Sequence, residues 1–352
     1  MRSFTYDQLP TRVVFGTDSI ERLADEVSRL GATRALVLST PGQRRLGEEA
    51  AHRLGALAAG IYAEAVMHVP AETARAALEV AQRIAADCLV AVGGGSTVGL
   101  AKAIARDTGI PIVAIPTTYA GSEMTPIFGI TEAGVKRTGR DRRVLPRAVL
   151  YDPQLTLALP AKISATSGMN ALAHCVEALY APDGNPIVSL MAAEGIRALA
   201  RALPIIVADG ADLEARGDAL YGAWLAGTAL GATTMGLHHK LCHTLGGSFN
   251  LPHAEVHTII LPHATAYNRE AAPHAMRTIA AMLGADDAAQ GLYDLAQRIG
   301  APLALRDIGM PADGIDRATE LATANPYANP RPVDYADVKQ LLDDAFRGAR
   351  PA

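Results

Sequence analysis

Cysteine and long apolar runs are scarce in this chain, and each shortage excludes a class of protein. Only 3 of the 352 residues are cysteine, with no C-x-x-C pair, so we expect neither a disulfide framework nor a thiolate zinc site. No uncharged apolar run reaches the roughly 18 residues that a membrane span needs. The first 15 residues also lack the apolar core of a signal peptide. These absences predict a protein of the reducing cytoplasm without a membrane partner.

Positive charge is not in excess either. The chain has 32 Lys and Arg against 36 Asp and Glu, which gives a formal net charge of −4. Nucleic acids and anionic membrane surfaces are bound by basic proteins, so we expect neither as a partner. Aromatic residues make up only 5% of a sequence that is 49% hydrophobic, so the predicted core is aliphatic. At roughly 150 residues per domain, the length predicts about two globular domains.

The first half of the chain alternates short apolar runs with helical patterns. The apolar runs cover residues 35–38, 88–92 and 112–115, and helical patterns cover residues 44–59 and 97–105. Strands of this kind, separated by helices, are typical of a parallel sheet with both faces covered. We therefore predict a doubly wound, Rossmann-like α/β domain over residues 1–155. Residues 4–15 are interpreted as a strand pair at the edge of its sheet.

The second half shows almost no strand pattern from about residue 160. Ala- and Leu-rich helical patterns cover residues 171–180, 186–203, 212–230 and 273–283. We predict an all-α domain over residues 156–352. A cleft between two domains is a common ligand site, so we expect the ligand there.

A glycine run follows the second predicted strand and opens a helix. In the segment Gly93-Gly94-Gly95-Ser96, backbone N–H groups can approach a phosphate at the positive end of the helix. The alternative is a tight turn in which glycine only supplies unusual dihedral angles. The next strand also ends in a polar loop that contains Gly121, and two such loops at neighbouring strand ends form a nucleotide crevice.

The residue after the first predicted strand bears on the choice of nucleotide. A carboxylate there commonly binds the ribose 2′-hydroxyl, but this chain has Ser39. We therefore expect NADPH to be accepted as well as NADH. The predicted cofactor-binding residues are Ser39, Gly93, Gly94, Gly95, Ser96, Thr117, Thr118 and Ser122.

Histidines are concentrated in the second half. Seven of the 10 lie at positions 174, 238, 239, 243, 253, 257 and 263. Asn170 and His174 are four residues apart, as are His239 and His243, so each pair shares a helix face. Two interpretations stay open. His174, His239 and His253 could coordinate a divalent metal ion that polarises a carbonyl, or they could form a metal-free pocket that donates hydrogen bonds and protons.

In chain order, these motifs resemble the iron-containing (group III) alcohol dehydrogenase superfamily, which shares its fold with dehydroquinate synthase. The resemblance includes the glycine loop, Asp152-Pro153, the helix from Asn170 to Glu177 and the last histidine segment. It implies a metal site made of an Asp, a His four residues later and two further His. Here the Asp position is Asn170, and the glycine loop has Gly99 where an Asp is usual. A neutral amide is a weak ligand for a divalent cation, so we expect no metal.

These departures resemble one branch of the superfamily, the maleylacetate reductases. The loop GGGSTVGLAK at residues 93–102 and the segment TTYAGSEMTPIFGI at residues 117–130 also resemble that branch. The resemblance implies NAD(P)H-dependent reduction of the carbon–carbon double bond of maleylacetate to 3-oxoadipate in aromatic catabolism. It also implies chloromaleylacetates as substrates and a homodimer. A metal-dependent alcohol or hydroxyacid dehydrogenase and a dehydroquinate synthase-like lyase remain alternatives.

The double bond of maleylacetate is conjugated to a ketone, so hydride addition leaves an enolate that must be stabilised and protonated. The resemblance places His243 beside the nicotinamide, and we predict that it is the proton donor. The other predicted catalytic residues are His253 as second candidate donor, His174 and His239 as orienting groups and Asn170 as a hydrogen-bonding group. Because the substrate is a small dicarboxylate, a local cation is required. The predicted substrate-binding residues are Lys240, Tyr119 and Arg140.

Overall fold

The structure is a computed structural model that describes residues 4–132 and 135–352. The chain divides into two compact units, one spanning Leu9–Leu159 and the other spanning Pro160–Ala352 together with the segment up to Gln8. The strands of the first unit are β1 (Arg12–Phe15), β2 (Ala35–Leu38), β3 (Ala58–Tyr62), β4 (Cys88–Gly93), β5 (Ile112–Pro116), β6 (Ile127–Glu132), β7 (Val135–Arg140) and β8 (Ala148–Tyr151). Its α-helices are α1 (Leu23–Arg29), α2 (Arg44–Leu54), α3 (Ala71–Arg83) and α4 (Gly95–Thr108).

Six strands of the first unit form one parallel sheet in the order β1-β8-β5-β4-β2-β3. The inner strands β2, β4, β5 and β8 are buried at every position, which explains their uninterrupted apolar sequences. Val37 and Val90 belong to one core cluster with Leu23 of α1 and Ala50 of α2. Strands β6 and β7 form a separate antiparallel hairpin. The predicted α/β architecture is confirmed.

Two local predictions in this unit are wrong. The predicted strand pair at residues 4–15 contains only the strand β1, whose partner is β8. Pro10 lies before β1 and has no N–H to donate to a ladder. The helix predicted to reach residue 59 ends at Leu54, because Gly55 adopts a positive φ of 55° that terminates it. A short 3-10 helix over Gly55–Leu57 follows, and strand β3 begins at Ala58.

The second unit consists of helices and connecting loops, with no strand among its described residues. Its helices are α5 (Ala161–Tyr180), α6 (Pro186–Ala208), α7 (Leu213–Ala232), α8 (Leu237–Phe249), α9 (His253–Tyr267), α10 (Pro273–Leu283), α11 (Ala288–Arg298), α12 (Gly314–Thr323) and α13 (Tyr335–Arg347). Leu241 of α8, Ile259 of α9 and Leu342 of α13 pack in one apolar cluster. Gly195 of α6 lies so close to α5 that a Cβ there would be 2.7 Å from Cys175 Sγ. This packing fixes the positions of α5, α8 and α9, the helices that carry the histidines.

None of the helices in the described parts of the chain combines the length and the hydrophobicity that crossing a bilayer requires.

Candidate active site

The glycine loop joins the end of β4 to the start of α4. Gly93 has a φ of 149°, and a Cβ there would lie 2.5 Å from Thr97 Oγ1. A Cβ on Gly94 would lie 2.9 Å from Thr118 Cγ2. No side chain among the described residues caps the N-terminus of α4, and glycines without a Cβ can bring backbone N–H groups close to an anion. Both glycines are therefore required by the close packing of this loop.

The loop after β5 lies against the glycine loop. Thr117 N donates to the carbonyl of Gly93 at 3.1 Å. Gln43 Nε2 donates to Thr117 Oγ1 at 2.8 Å. The structure thus brings together the predicted cofactor residues of two adjacent strand ends and adds Gln43, which no sequence motif marked.

Three other residues of this unit, predicted to bind the cofactor or the substrate, differ in how far they are exposed to solvent. Ser39 follows β2 and is fully buried, with its Oγ on the side of Gly47 of α2. Tyr119 is also fully buried. Arg140 is an exposed residue at the end of β7.

Lys102 of α4 holds the polypeptide that follows the β5 loop. Its Nζ donates to the carbonyls of Ser122 at 2.7 Å, Thr125 at 2.8 Å and Ile127 at 2.8 Å. Burial lowers the pKa of this fully buried amine to about 7, and the nearby Glu123 carboxylate opposes the shift. The lysine ends the GGGSTVGLAK motif, but the motif did not indicate this contact.

In the helical unit, the predicted catalytic histidines form one cluster of rings. The ring of His174 on α5 stacks on that of His239 on α8, with centroids 5.0 Å apart. His239 is 6.2 Å from His243, and His243 lies 6.4 Å from His253 at an interplanar angle of 12°. His174 and His239 are buried, whereas His243 is exposed. His243 is the exposed ring of the cluster, and His253 beside it is half-buried.

Two further predicted residues lie on the same helices. Asn170 of α5 is buried, and its Oδ1 has no hydrogen-bond partner among the described residues. Lys240 is half-buried on α8, directly after His239 in the chain. The helices that carry the histidine cluster thus also carry an amide acceptor, Asn170 Oδ1, and a cationic side chain, Lys240.

Glu177 of α5 is a buried acid to which the sequence assigned no role. Its Oε1 accepts from the backbone N of His238 at 3.0 Å, and its Oε2 accepts from those of Gly236 at 3.2 Å and His239 at 3.3 Å. Oε2 also accepts from His239 Nδ1 at 2.5 Å. The carboxylate therefore caps the N-terminus of α8 and orients an imidazole. The sequence signal that could have revealed this role is an acid three residues after His174 on a helix of mainly small and apolar residues.

A second histidine pair lies deeper in the unit. His238 Nε2 and His257 Nδ1 are 2.9 Å apart, and Cys242 Sγ is 3.6 Å from His238 Nε2. Burial, with the neighbouring histidines, lowers the pKa of both imidazoles well below 6.5, so both are neutral. Burial and then Glu177 raise the pKa of the Cys242 thiol. Metal-ligand atoms of this trio lie within 4.8 Å of one another, and two of its ring nitrogens share a hydrogen bond.

The comparisons with known proteins agree with the fold and the motifs. The family described as "Iron-containing alcohol dehydrogenase" matches residues 10–153, and "Fe-containing alcohol dehydrogenase family, C-terminal" matches residues 164–346. A maleylacetate reductase of Burkholderia cepacia is 57% identical over 352 residues, which is 100% of both chains. Solved structures of maleylacetate reductases from Agrobacterium tumefaciens and Rhizobium sp. strain MTP-10005 have TM-scores of 0.96 at 55% and 54% identity, over 100% of each chain. The chain therefore belongs to the iron-containing alcohol dehydrogenase family and, within it, to the maleylacetate reductase branch.

Proposed function

We propose that this chain reduces the carbon–carbon double bond of maleylacetate to give 3-oxoadipate in the catabolism of aromatic compounds. Members of its family are NAD(P)-dependent oxidoreductases. The observation that carries the proposal is the 57% identity to a maleylacetate reductase over the full length of both chains. Chloromaleylacetates are included, because a chlorine substituent leaves the double bond conjugated to the ketone.

The cofactor residues proposed are those of the two loops at the ends of β4 and β5. When bound, the reduced nicotinamide supplies the hydride. The backbone of Gly94, Gly95 and Ser96 holds the pyrophosphate, and the hydroxyls of Thr117, Thr118 and Ser122 line the same loops. Ser39 presents no acid at the end of β2, so a 2′-phosphate is not repelled and both NADH and NADPH are used.

The histidine cluster supplies the proton and orients the substrate. His243 protonates the carbon beside the ketone, because it is the exposed ring of the cluster, and His253 stacks beside it. His174 and His239 orient the substrate, and Asn170 donates or accepts a hydrogen bond. Lys240 offsets the charge of the dicarboxylate, with Tyr119 and Arg140 as further substrate-binding residues.

We also propose that the reaction needs no metal ion. Asn170 stands where the family resemblance implies an aspartate ligand, so the set of potential ligands carries no negative charge. His174 Nδ1 and His239 Nε2 are 2.9 Å apart, and the hydrogen bond between them occupies one nitrogen lone pair. An uncharged set with an occupied lone pair suits a divalent cation poorly.

The test is an assay of NADH and NADPH oxidation with freshly generated maleylacetate. We expect one equivalent of cofactor to be oxidised for each 3-oxoadipate formed. Oxidation of simple alcohols with NAD+ but no reduction of maleylacetate would favour a metal-dependent dehydrogenase. Turnover without a net change in NADH absorbance would favour a lyase.

We further propose that the protein is cytoplasmic and forms a homodimer. Its three cysteines are free and buried, in accordance with a reducing compartment, and the family resemblance implies the dimer. Light scattering measures the oligomeric state.

A further inference from the structure

Glu177 has an unusual position for a carboxylate. Its side chain is fully buried, and the four hydrogen bonds described above all come from nitrogen donors of α8 and the residue that precedes it. One donor is a side chain, His239 Nδ1, and the other three are backbone groups. The carboxylate therefore interacts with both the start of a helix and one catalytic imidazole.

The acid determines which nitrogen of His239 carries the proton. An ionised carboxylate only accepts hydrogen bonds, so His239 Nδ1 must carry a proton to donate to it. The lone pair of the neutral ring is then at Nε2, which lies 2.9 Å from His174 Nδ1. His174 must in turn donate from Nδ1, which leaves its own lone pair at Nε2. One carboxylate thus sets the direction of two consecutive hydrogen bonds.

We propose that Glu177 is a positioning residue for the reaction. It anchors the first turn of α8, which carries His239 and His243, and it holds His239 and His174 in their Nδ1–H tautomers. Hydrogen bonds to the substrate depend on which ring nitrogens carry protons, so a change of tautomer reverses donors and acceptors in the cluster. This inference rests on the proposed function of the histidine cluster, and Glu177 itself does not touch the substrate.

The variant Glu177→Gln tests the proposal because it keeps the size of the side chain and removes its charge. An amide group has only one acceptor oxygen, so its NH2 group must face one of the N–H donors. If the NH2 group faces His238 N, that backbone donor is left unpaired. If the NH2 group faces His239 Nδ1, that nitrogen must accept a hydrogen bond, so the ring adopts the other tautomer. We expect kcat with maleylacetate to fall about 10- to 100-fold. The KM for NADH should stay within about twofold, because the cofactor loops belong to the other unit.

A spectroscopic readout separates positioning from general stability. In the wild-type protein labelled with 15N-histidine and assigned through single His→Gln variants, His239 and His174 should both show a protonated Nδ1. In Glu177→Gln, His239 should show the opposite tautomer or a mixture. This measurement needs no turnover, so it tests the inference even if maleylacetate proves not to be the substrate.

Asp334→Asn is the matched control. Asp334 caps α13 through the backbone N of Ala336 and Asp337, and no histidine is among these hydrogen-bond partners, so its amide variant should keep wild-type kcat. A protonated Nε2 on His239 in the wild-type protein would overturn the proposal, as would unchanged kcat in Glu177→Gln. If Glu177→Gln does not fold, the wild-type tautomers decide the question alone.

Discussion

His174 Nδ1 lies 2.9 Å from His239 Nε2, and the two rings stack at an interplanar angle of 29°. These residues occupy two of the positions at which the family resemblance implies metal ligands. Coordination by both of these nitrogens would require two lone pairs, whereas a hydrogen bond between them uses the lone pair of one and keeps the other protonated, so that only His174 Nε2 retains a lone pair. The same two rings therefore orient each other, and Asn170 adds no charge that would favour coordination.

Chelation should leave the activity intact. After exhaustive dialysis against EDTA, we expect kcat for maleylacetate to change by less than about twofold, because no proposed role requires an ion. NADH oxidation measures this, with metal content followed by elemental analysis. Activity that disappears with EDTA and returns with Fe²⁺ or Zn²⁺ would contradict the metal-free proposal.

Replacement of the exposed histidine should slow the chemical step. His243→Ala removes the proposed proton donor, and the expected loss in kcat is about 100- to 10,000-fold, the usual contribution of general acid catalysis. Steady-state NADH oxidation gives kcat and KM separately. His274→Ala, at an exposed position on α10, is the control and should behave as wild type. Near-normal turnover of His243→Ala would assign protonation to another group.

A methyl group in the glycine loop should weaken cofactor binding. In Gly94→Ala the added Cβ would lie 2.9 Å from Thr118 Cγ2, so the loop must move where we propose that it binds phosphate. Losing one hydrogen bond to a charged group costs about 1.5–3 kcal/mol, so the Kd for NADH should rise roughly 10- to 100-fold. Fluorescence titration with NADH measures it. Gly42→Ala, whose Cβ would have nothing within 4 Å, is the control, and equal affinities of the two variants would refute the assignment.

Lys102 should matter for stability much more than a surface cation does. Lys102→Met leaves the carbonyls of Ser122, Thr125 and Ile127 without this donor, and we expect unfolding to become easier by about 3–5 kcal/mol. Urea denaturation checks this. Arg45→Met removes an exposed i,i+4 ion pair with Glu49 in the same unit and should change stability by less than about 1 kcal/mol.

Acid should destabilise the fold through a buried histidine in α9. Burial lowers the pKa of His263 from 6.5 to about 4, and Asp344 opposes the shift. Between these pH values the unfolded chain binds a proton that the folded chain does not. The free energy of unfolding therefore falls as the pH falls, by about 3 kcal/mol across this window. Urea denaturation at pH 7, 6 and 5 measures the slope, which His263→Gln should reduce by at most about 1.4 kcal/mol per pH unit. Identical slopes would show that the pKa of His263 is the same in the folded and the unfolded state.

Strands buried on both faces were predictable because burial demands uninterrupted apolar residues, as in β2, β4 and β5. The glycine loop was predictable because close packing against Thr97 and Thr118 excludes a Cβ, so the sequence must have glycine at positions 93 and 94. Strands β3 and β8 and the hairpin of β6 and β7 were missed. β3 and β6 are only partly buried, so their sequences carry no comparable apolar signal. β8 is buried at every position, so its apolar run of four residues was available as a signal and was not used.

Helical spacing in the sequence was sufficient to pair Asn170 with His174 and His239 with His243, because residues four apart share a face whatever the rest of the chain does. The composition likewise determined an aliphatic core without a net cationic field. The contact between His174 and His239 could not be derived in this way, since 65 residues separate them and only the packing of α5 against α8 brings them together. The same packing buries Glu177, so its carboxylate oxygens accept hydrogen bonds from the start of α8 rather than from water. Proton positions in the cluster thus depend on hydrogen bonds between helices, which local periodicity does not encode.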